Sequence, residues 1–340
     1  MGRTKDETIK QEFDALDQTD VRLIAELETD PRQPHTEIAQ KLGMSRDTVR
    51  ARLQRLLDTG AVRIVGLADP ISLGFTTSVI MGINVRSDQL PAVADKLASL
   101  TRIQHLILCM GRFDIIASGL FRRRTDFLDF LVGNIGNLPG VLHIESMLIL
   151  RNAKIFGPLL SDAPDSHPAQ PLPAALDSLD LALIKELQVD ARQNSRWLAR
   201  KLGTSQSTVL RKIQALQNSG VMRVVALVNP LALGFEGVAS IGLKFDPAKV
   251  DEAAGIIGSY RNVQTVAVCA GRYDVLAWAM FRELGDLANF ITVELGNLPG
   301  LQHAETMTSL KIVKSSHRYL AEDALPSAAG AETKRGKRKG

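Results

Sequence analysis

The chain has 340 residues, of which 45% are hydrophobic, and this is enough for at least two cores because domains usually contain about 100–200 residues. Its two cysteines are too few for a disulfide framework, and no uninterrupted apolar stretch approaches the roughly 20 residues that cross a bilayer. With a net charge of only +4, the composition predicts a soluble, cytoplasmic protein without membrane contact, disulfides or a structural metal.

Three short helices followed by a strand are predicted in residues 12–68. Between the second and third helices the spacing Ala39, Gly43, Val49 suits a helix-turn-helix, because the small Ala lets the helices approach and Gly tolerates a positive φ at the turn. Ser45 is a predicted N-cap that accepts from the Thr48 amide. Spacing alone also fits a three-helix bundle without a role in DNA binding.

The exposed face of the third helix favours the DNA-binding interpretation. Outside its apolar stripe the helix carries a cationic surface near its start, which suits both base edges and phosphates. The predicted DNA-binding residues are Ser45, Arg46, Asp47, Thr48, Arg50, Arg52 and Arg55. We expect Arg46 and Arg50 to contact bases, and Arg52 and Arg55 to hold phosphates.

Residues 74–154 show the pattern βαββαβ. This order predicts a ferredoxin-like sandwich with both helices on one face of the sheet, so that the other face is free to pack on a partner sheet. The partner sheet belongs either to a second module of this kind in the same chain or to a module of a neighbouring chain, and the sequence leaves both open.

The connection between the two middle strands is a tight turn with the sequence GRFD. As a plain hairpin turn, Gly111 supplies a positive φ and Asp114 caps a backbone amide. As an effector site, Arg112 holds a carboxylate while Asp114 and loop amides meet an ammonium, which together would recognise an amino acid.

A gapless internal repeat follows a Pro-rich linker predicted at 155–175. Residues 16–154 align with 176–314 at a constant offset of 160, and about a third of the positions are identical. The second copy comprises a helix-turn-helix domain at 176–228 and a sensing domain at 234–314. This period is far too long for a solenoid, whose repeats have about 20–50 residues, so the chain is a covalent pseudo-dimer.

The second copy keeps the scaffold positions but differs at most reading positions. Its predicted DNA-binding residues are Ser205, Gln206, Ser207, Thr208, Arg211 and Lys212, and its predicted effector-binding residues are Gly271, Arg272 and Asp274. We expect Gln206 and Arg211 to contact bases and Lys212 to hold a phosphate. Because the two reading helices differ, the predicted operator is an imperfect palindrome.

Residues 315–340 are predicted to be a disordered basic tail. Its last seven residues contain Lys334, Arg335, Lys337, Arg338 and Lys339, which exceed the net charge of the whole chain. Such a tail either binds a polyanion or merely increases solubility.

Other candidate residues are interpreted as structural. Cys109 and Cys269 are expected to be buried on strands, and His143 and His303 to be surface or packing residues without a metal. No Gly-rich phosphate loop, nucleophile elbow or carboxylate pair is repeated in a pocket-like context. We therefore expect neither catalytic residues nor a cofactor, and a protein that is not an enzyme.

Both copies resemble the Lrp/AsnC family, the feast/famine regulators of bacteria and archaea. Residues 16–63 and 176–223 resemble the family's DNA reader almost position for position, and CMGRFDIIASGLFR and CAGRYDVLAWAMFR resemble the strand-turn-strand of its sensing module. The resemblance implies an α+β fold in which each unit is a winged helix-turn-helix followed by a ligand-binding domain of the RAM type. It also implies sheet-mediated dimers, larger homo-oligomers, double-stranded DNA as partner and amino acids as usual effectors.

This chain departs from the family pattern because it fuses two units and carries Met110 and Ala270 where the turn is usually written with Thr. Two alternatives accompany the regulator. One is an enzyme like the siroheme decarboxylases, which resemble the family in architecture but are expected to carry a His-rich turn in place of GRFD and GRYD. The other is a ligand-sensing assembly protein whose readers have lost DNA binding.

Overall fold

The computed structural model describes residues 16–161, 175–318 and 320. The helices are α1 (Gln18–Thr29), α2 (His35–Leu42), α3 (Arg46–Asp58), α4 (Leu90–Ser99), α5 (Arg124–Phe130), α6 (Ser178–Leu187), α7 (Ser195–Lys201), α8 (Gln206–Asn218), α9 (Val250–Ser259) and α10 (Leu284–Asn289). The strands are β1 (Val62–Ala68), β2 (Thr77–Val85), β3 (Ile103–Met110), β4 (Ile115–Phe121), β5 (Val141–Ile155), β6 (Met222–Val228), β7 (Gly237–Phe245), β8 (Val263–Ala270), β9 (Val275–Phe281) and β10 (Leu301–Ser315). α5 and α10 continue into short π-helical segments, Leu131–Ile135 and Phe290–Leu295.

The helix-turn-helix elements begin and end at the predicted signals. The Ser45 hydroxyl accepts from the Thr48 amide at 3.0 Å, and Ser205 does the same at the start of α8, so each side chain satisfies one orphan donor of the first turn. Gly43 ends α2 in the left-handed conformation with φ of 69°, which a residue with a Cβ would adopt only under strain. The predicted reader helices are therefore confirmed.

The two readers are joined by an antiparallel pair of strands, β1 and β6. Val62 pairs with Val228 and Ala68 with Met222, so the strands run past each other over their full length. Reader helices from both copies pack on this ribbon and share one hydrophobic core. At Gly66 a Cβ would lie 2.7 Å from the Met222 sulfur, so the absence of a side chain allows this close packing.

The eight remaining strands form a closed barrel in the order β10-β3-β4-β2-β5-β8-β9-β7. Each unit contributes four strands with the ferredoxin-like order, and the long last strand of each unit crosses to the other. The first half of β5 pairs with β2 and its second half with β8, while β10 pairs with β7 and then with β3. The two sensing modules therefore pair within one chain, which the sequence had left open.

Each sensing module has its own core between its sheet and its two helices, and the barrel interior holds a further cluster. In β2, Val79 and Met81 face the helices of the first unit, whereas Ile80 faces into the barrel. The interior cluster fills the end of the barrel near the GRFD and GRYD turns with Phe113 and Tyr273 from the two units. The α+β class and the tandem ferredoxin-like arrangement are confirmed.

The structure places two boundaries differently from the sequence analysis. The linker was predicted to begin at residue 155 and the tail at residue 315, but β5 runs to Ile155 and β10 to Ser315. Beyond β5, the Glu28 carboxylate accepts from the backbone amides of residues 159–161 at 2.7–2.8 Å. Residues 1–15, 162–174, 319 and 321–340 lie outside the described residues, and with them most of the predicted linker and tail.

Candidate DNA-reading surface and sensing loops

The reading helix of the first copy, α3, presents Arg46, Asp47, Thr48 and Arg50 to solvent next to its exposed N-cap, Ser45. These side chains surround the N-terminus of α3, where the helix dipole gives a partial positive charge. The two guanidinium groups add full positive charges to the same surface. Burial and the positive charges of Arg192, Arg46 and Arg50 lower the pKa of the nearby His35. The exposed start of α3 therefore carries two cations, Arg46 and Arg50, and one anion, Asp47.

Two predicted phosphate contacts on α3 are engaged inside the reader. Arg52 donates to Asp17 at 2.8 Å and to Asp20 at 2.9 Å, and Arg55 also donates to Asp20. The two aspartates form the capping box of α1, so these cations tie α3 to the start of α1. Hydrogen bonds from the Asp20 amide and from Arg52 hold the pKa of Asp17 below its usual value.

The second reader repeats this arrangement with a lysine. Lys212 on α8 donates to Asp177 and Asp180, at 2.8 Å each, and these residues form the capping box of α6. Lys212 is largely covered, whereas Arg211 beside it is exposed. Both copies therefore pair a cation on the reading helix with the capping box of their first helix, although this cation is Arg52 in one copy and Lys212 in the other.

The outer surface of α8 differs from that of α3. Leu210, 47% exposed, stands where the first copy has Arg50, and Arg211 stands where it has Ala51. Gln206 is held by hydrogen bonds with Arg196 and Ser195 on α7. Of the remaining predicted contacts, Ser205, Ser207 and Thr208 form a hydroxyl cluster at the start of α8. The two readers therefore offer different chemistry on the same scaffold.

The GRFD and GRYD turns meet at the end of the barrel away from the readers, across the pseudo-two-fold axis. Arg112 donates to Glu145 at 2.5 Å, and Arg272 makes a bidentate contact with Glu305 at 2.8 and 3.1 Å. Each arginine also approaches the other unit's glutamate, at 3.8 Å from Arg112 to Glu305 and 3.7 Å from Arg272 to Glu145. Two positive and two negative groups thus form one neutral cluster, which we call the dyad cluster.

The charges of the dyad cluster stabilise one another. The hydrogen bond from Arg272 lowers the pKa of Glu305 to about 2. Burial would raise the pKa of Glu145, but the hydrogen bond and charge of Arg112, with the charge of Arg272, bring it below its usual value. The Tyr273 hydroxyl also donates to Glu305, whereas Phe113 offers no such group in the first copy. Both carboxylates are therefore ionised at neutral pH.

Sequence reasoning missed Glu145 and Glu305. It found no carboxylate pair repeated in a pocket-like context, yet the structure brings this repeated pair to the two arginines. The motif His-x-Glu occurs at 143–145 and again at 303–305, on equivalent strands of the two copies. This repetition could have identified the pair from the sequence. His143 and His303 lie exposed beside the glutamates, with ring nitrogens at 3.5 and 3.3 Å from them.

The two aspartates of the turns bind backbone amides. Asp114 accepts from the Val85 amide at 2.8 Å, and Asp274 accepts from the Phe245 amide at 2.9 Å and from Lys244 at 2.7 Å. The turn glycines have positive φ, 133° at Gly111 and 148° at Gly271. The hairpin geometry considered for these turns is therefore present.

The cysteines are free and buried, as expected. Burial raises the pKa of the Cys109 and Cys269 thiols to about 12, so neither is a thiolate at neutral pH. In the described ranges, no group of three or more His, Cys, Asp or Glu side chains could hold a metal ion. No helix in the described part of the chain has the length and apolar character needed to span a bilayer.

Two solved structures of one protein show the same fold over both units. The siroheme decarboxylase NirDL has a TM-score of 0.62 and 16% sequence identity, covering 90% of this chain and 96% of that one. A second structure of it, in co-complex with an iron-uroporphyrin III analogue, matches to the same extent. This likeness concerns the fold.

Curated relatives match one unit at a time. The HTH-type transcriptional regulator FL11 of Pyrococcus abyssi is 33% identical over 143 residues, which cover 42% of this chain and 94% of that protein. The HTH-type transcriptional regulator Ptr1 of Methanocaldococcus jannaschii is 28% identical over 144 residues, covering 42% and 97%. One relative therefore corresponds to about one of the two copies.

Family models match both copies of both domain types. The AsnC-type helix-turn-helix domain matches residues 16–57 and 176–217, and the Lrp/AsnC ligand binding domain matches 78–159 and 238–319. Together these ranges account for more than half of the chain. The chain therefore belongs to the Lrp/AsnC family of DNA-binding transcriptional regulators, with two family units fused in one polypeptide.

Proposed function

We propose that one chain acts as a complete, asymmetric DNA-binding dimer that reads two different half-sites. The observation that carries this proposal is the antiparallel pairing of β1 with β6, which joins both readers in one core and leaves α3 and α8 exposed. A covalent tether raises the effective concentration of the second reader to about the millimolar range. A second half-site with low affinity for its reader is then sufficient for both readers to bind DNA.

In this proposal Arg46 and Arg50 of α3 contact bases, as do Gln206 and Arg211 of α8. Arg46, Arg50 and Arg211 are exposed, and none forms an ion pair within the described residues. Gln206 would exchange its contacts with Arg196 and Ser195 for a base edge.

Arg52, Arg55 and Lys212 can hold phosphates while they keep their aspartate partners. A guanidinium has five N–H donors and an ammonium three, and the capping-box contacts described above use only some of them. Each of these cations would then link a DNA phosphate to the capping box at the start of α1 or α6.

The proposal is tested by an electrophoretic mobility shift assay with the promoter region beside the chain's own gene. Wild type should shift this DNA, and Arg50→Ala should weaken binding by about 1–3 kcal/mol, roughly 5- to 150-fold. Arg22→Ala, which removes an exposed arginine from α1, is the matched control. Failure of wild type to bind this promoter or any pool of random duplexes would favour an assembly protein without DNA binding.

We further propose that the sensing loops bind an amino acid at the dyad cluster. An amino acid carries one carboxylate and one ammonium, and the cluster offers guanidinium groups and carboxylates side by side. Arg112 or Arg272, with the amide N–H groups of the turns at Gly111 and Gly271, would hold the ligand carboxylate. Glu145 or Glu305, together with Asp114 or Asp274, would accept from its ammonium.

Calorimetric titration with the twenty amino acids tests this site. At least one should bind, and the double variant Arg112→Ala/Arg272→Ala should lose the heat while its circular-dichroism spectrum stays that of the folded chain. Arg86→Ala is the control, since Arg86 is an exposed arginine paired only with its neighbour Asp88 in the described structure. Wild type that binds none of the amino acids would remove the proposal.

The rival function is an enzyme of the siroheme decarboxylase type, because that fold covers nearly the whole chain. We propose that this chain is not such an enzyme, since the family models and curated relatives are those of regulators. Titration with an iron tetrapyrrole, followed by its Soret absorbance, discriminates the two. Stoichiometric binding followed by release of carbon dioxide would establish the enzyme.

Homo-oligomers beyond the covalent pseudo-dimer are also proposed. Leu150 and Leu310 occupy equivalent positions on β5 and β10 and are 61% and 64% exposed. Such apolar side chains on equivalent strands can join further copies of the chain. Light scattering should give a mass above that of one chain, and Leu150→Lys with Leu310→Lys should reduce it.

A further inference from the structure

A cavity of about 760 Å³ occupies the barrel interior at the end near the readers. Barrel strands of both units form its walls, and Leu67 of β1 and Met222 of β6 contribute from the reader side. Its volume falls within the range of sites that hold small organic molecules, roughly 300–1,000 Å³. This cavity is separate from the dyad cluster, which lies beyond the packed Phe113 and Tyr273 at the other end of the barrel.

The cavity exists because the two copies differ in the size of their inward-facing residues. At equivalent positions one copy has a large residue and the other a small one, namely Trp278 against Ser118, Ile80 against Ser240 and Ile107 against Ala267. A barrel with the large residue at every position would have a smaller cavity. The small residues Ser118, Ser240 and Ala267 leave room between the sheets for an occupant.

Basic groups collect at one end of the cavity, and we call Arg63, His105, Lys314 and His317 the basic cluster. His105 and Lys314 line the cavity. The rings of His105 and His317 are 5.0 Å apart, and Arg63 donates to the carbonyl of Ser315, which pairs with His105 across the strands. Four cationic or ionisable groups therefore converge on the seam between β3 and β10.

The basic cluster has no carboxylate partner among the described residues. Lys314 donates to two backbone carbonyls at the end of α4, at 2.9 and 2.8 Å, and Arg63 to one carbonyl. His317 is only 3% exposed, and neither of its ring nitrogens has a hydrogen-bond partner within the described structure. Buried polar groups normally find partners, so this histidine and the uncompensated cations point to an anion.

Titration properties agree with this geometry. Burial, together with the charges of Arg63 and Lys314, lowers the pKa of His105 to about 4. Burial also lowers the pKa of Lys314 and that of Arg63. Lys314 is partly withdrawn from water without gaining an opposite charge, and an anionic group beside it would remove that cost.

The second unit repeats the two cations of the basic cluster, as Arg223 and Lys154, but not its two histidines. Thr265 and Gly157 stand at the positions equivalent to His105 and His317. Phe156 from the first unit instead reaches across and packs its ring 4.8 Å from that of His317. Phe156 has a φ of 47°, the one positive value among the described residues other than glycine, a conformation that is strained for an aromatic residue. This backbone places an aromatic ring against the cluster.

We propose that the barrel cavity binds a small amphipathic anion, with its apolar body between the two sheets and its carboxylate or phosphate head at the basic cluster. The cavity walls supply apolar contact from Ile80, Ile107 and Ile116. The one carboxylate of the lining, Asp69, accepts from the Ser72 amide at 2.6 Å and belongs to the turn after β1. The ligand contacts both the reader layer and the barrel.

Calorimetric titration of the full chain with decanoate, decyl phosphate and decan-1-ol tests the proposal without DNA, so its outcome does not depend on the reader's function. Decanoate or decyl phosphate should bind at least about tenfold more tightly than decan-1-ol, because charge-assisted hydrogen bonds form only with the anions. The tighter of the two anions identifies the head group. Equal affinity for decan-1-ol, or no binding of either anion, would overturn the proposal.

Variants locate the site. Ser118→Trp introduces the residue that the second copy carries and should abolish binding, and Ala267→Ile should do so if Ser118→Trp does not fold.

Lys314→Met should weaken the binding of decanoate at least about tenfold. Lys311→Met, which removes an exposed lysine of the same strand, should leave the affinity within about twofold. In a Trp197→Phe chain, Trp278 is the sole tryptophan, and ligand should change its fluorescence. Unchanged affinity in Ser118→Trp and Ala267→Ile would contradict a site in the cavity.

Discussion

Asp20 has no exposed surface, and its position explains how the first reader is held together. Its carboxylate accepts from the Asp17 amide and from the guanidinium groups of Arg52 and Arg55. One side chain thus caps α1 and fixes α3 to it. The two arginines that serve this purpose are also proposed phosphate contacts, so stability and DNA binding share these residues.

Replacing Asp20 tests its structural role. Asp20→Ala should lower the free energy of unfolding by about 1–3 kcal/mol, since it removes the carboxylate that accepts from the Asp17 amide and from both arginines. Urea denaturation of the full chain measures this, and Asp95→Ala, an exposed aspartate in α4, should change the value by less than about 0.5 kcal/mol. An effect of Asp20→Ala no larger than that of Asp95→Ala would contradict the assignment.

At the scale of elements, close contact between β2 and the GRFD turn fixes the end of the barrel. The ring of Phe113 lies over Gly82, where a Cβ would be 2.4–2.5 Å from ring carbons, and Tyr273 covers Gly242 in the same way. Glycine at these strand positions therefore gives the aromatic rings their space. The turns that carry Arg112 and Arg272 are held in place by this packing.

Gly82→Ala should destabilise the protein by about 1–3 kcal/mol, because the added methyl group overpacks a buried aromatic contact. Gly133→Ala is the matched control, since Gly133 is exposed and a Cβ there meets nothing within 4 Å. Thermal unfolding followed by circular dichroism compares the two. Equal melting temperatures for both variants would show that Phe113 moves aside without cost.

Elements of one unit could be predicted from the sequence, whereas contacts between units could not. Ser45 and Gly43 mark helix ends by local chemistry, and periodicity identified the βαββαβ order. The run Val62–Ala68 predicts a strand but not its partner, because pairing with β6 depends on how two distant segments meet. The dyad cluster and the cavity depend on side chains from both units, such as Glu145 and Trp278, which no local pattern connects.

On the scale of the whole molecule, duplication within one chain has allowed the two copies to diverge. Pairs such as Arg50 and Leu210 differ on the reading helices, and Ser118 and Trp278 differ inside the barrel. A homodimer of separate chains would have to carry the same residue on both sides. The fused chain is free to build two different readers and a single off-centre cavity.

The basic C-terminal segment, which lies outside the described residues, gives a further expectation. Deleting residues 334–340 should reduce the salt dependence of DNA binding by up to about five units in the slope of log K against log salt, since five cations are removed. Fluorescence anisotropy between 50 and 200 mM salt, chosen as the range where phosphate contacts are sensitive, measures the slope. An unchanged slope would assign the segment to solubility alone.

Binding-site selection from random duplex DNA tests most directly whether one chain reads DNA as an asymmetric dimer. Wild type should select two unequal half-sites in a fixed order. A variant whose second reader carries the residues of the first, Gln206→Arg, Ser207→Asp, Leu210→Arg and Arg211→Ala, should select a palindrome of the first half-site. Identical half-sites selected by the wild-type chain would contradict the account.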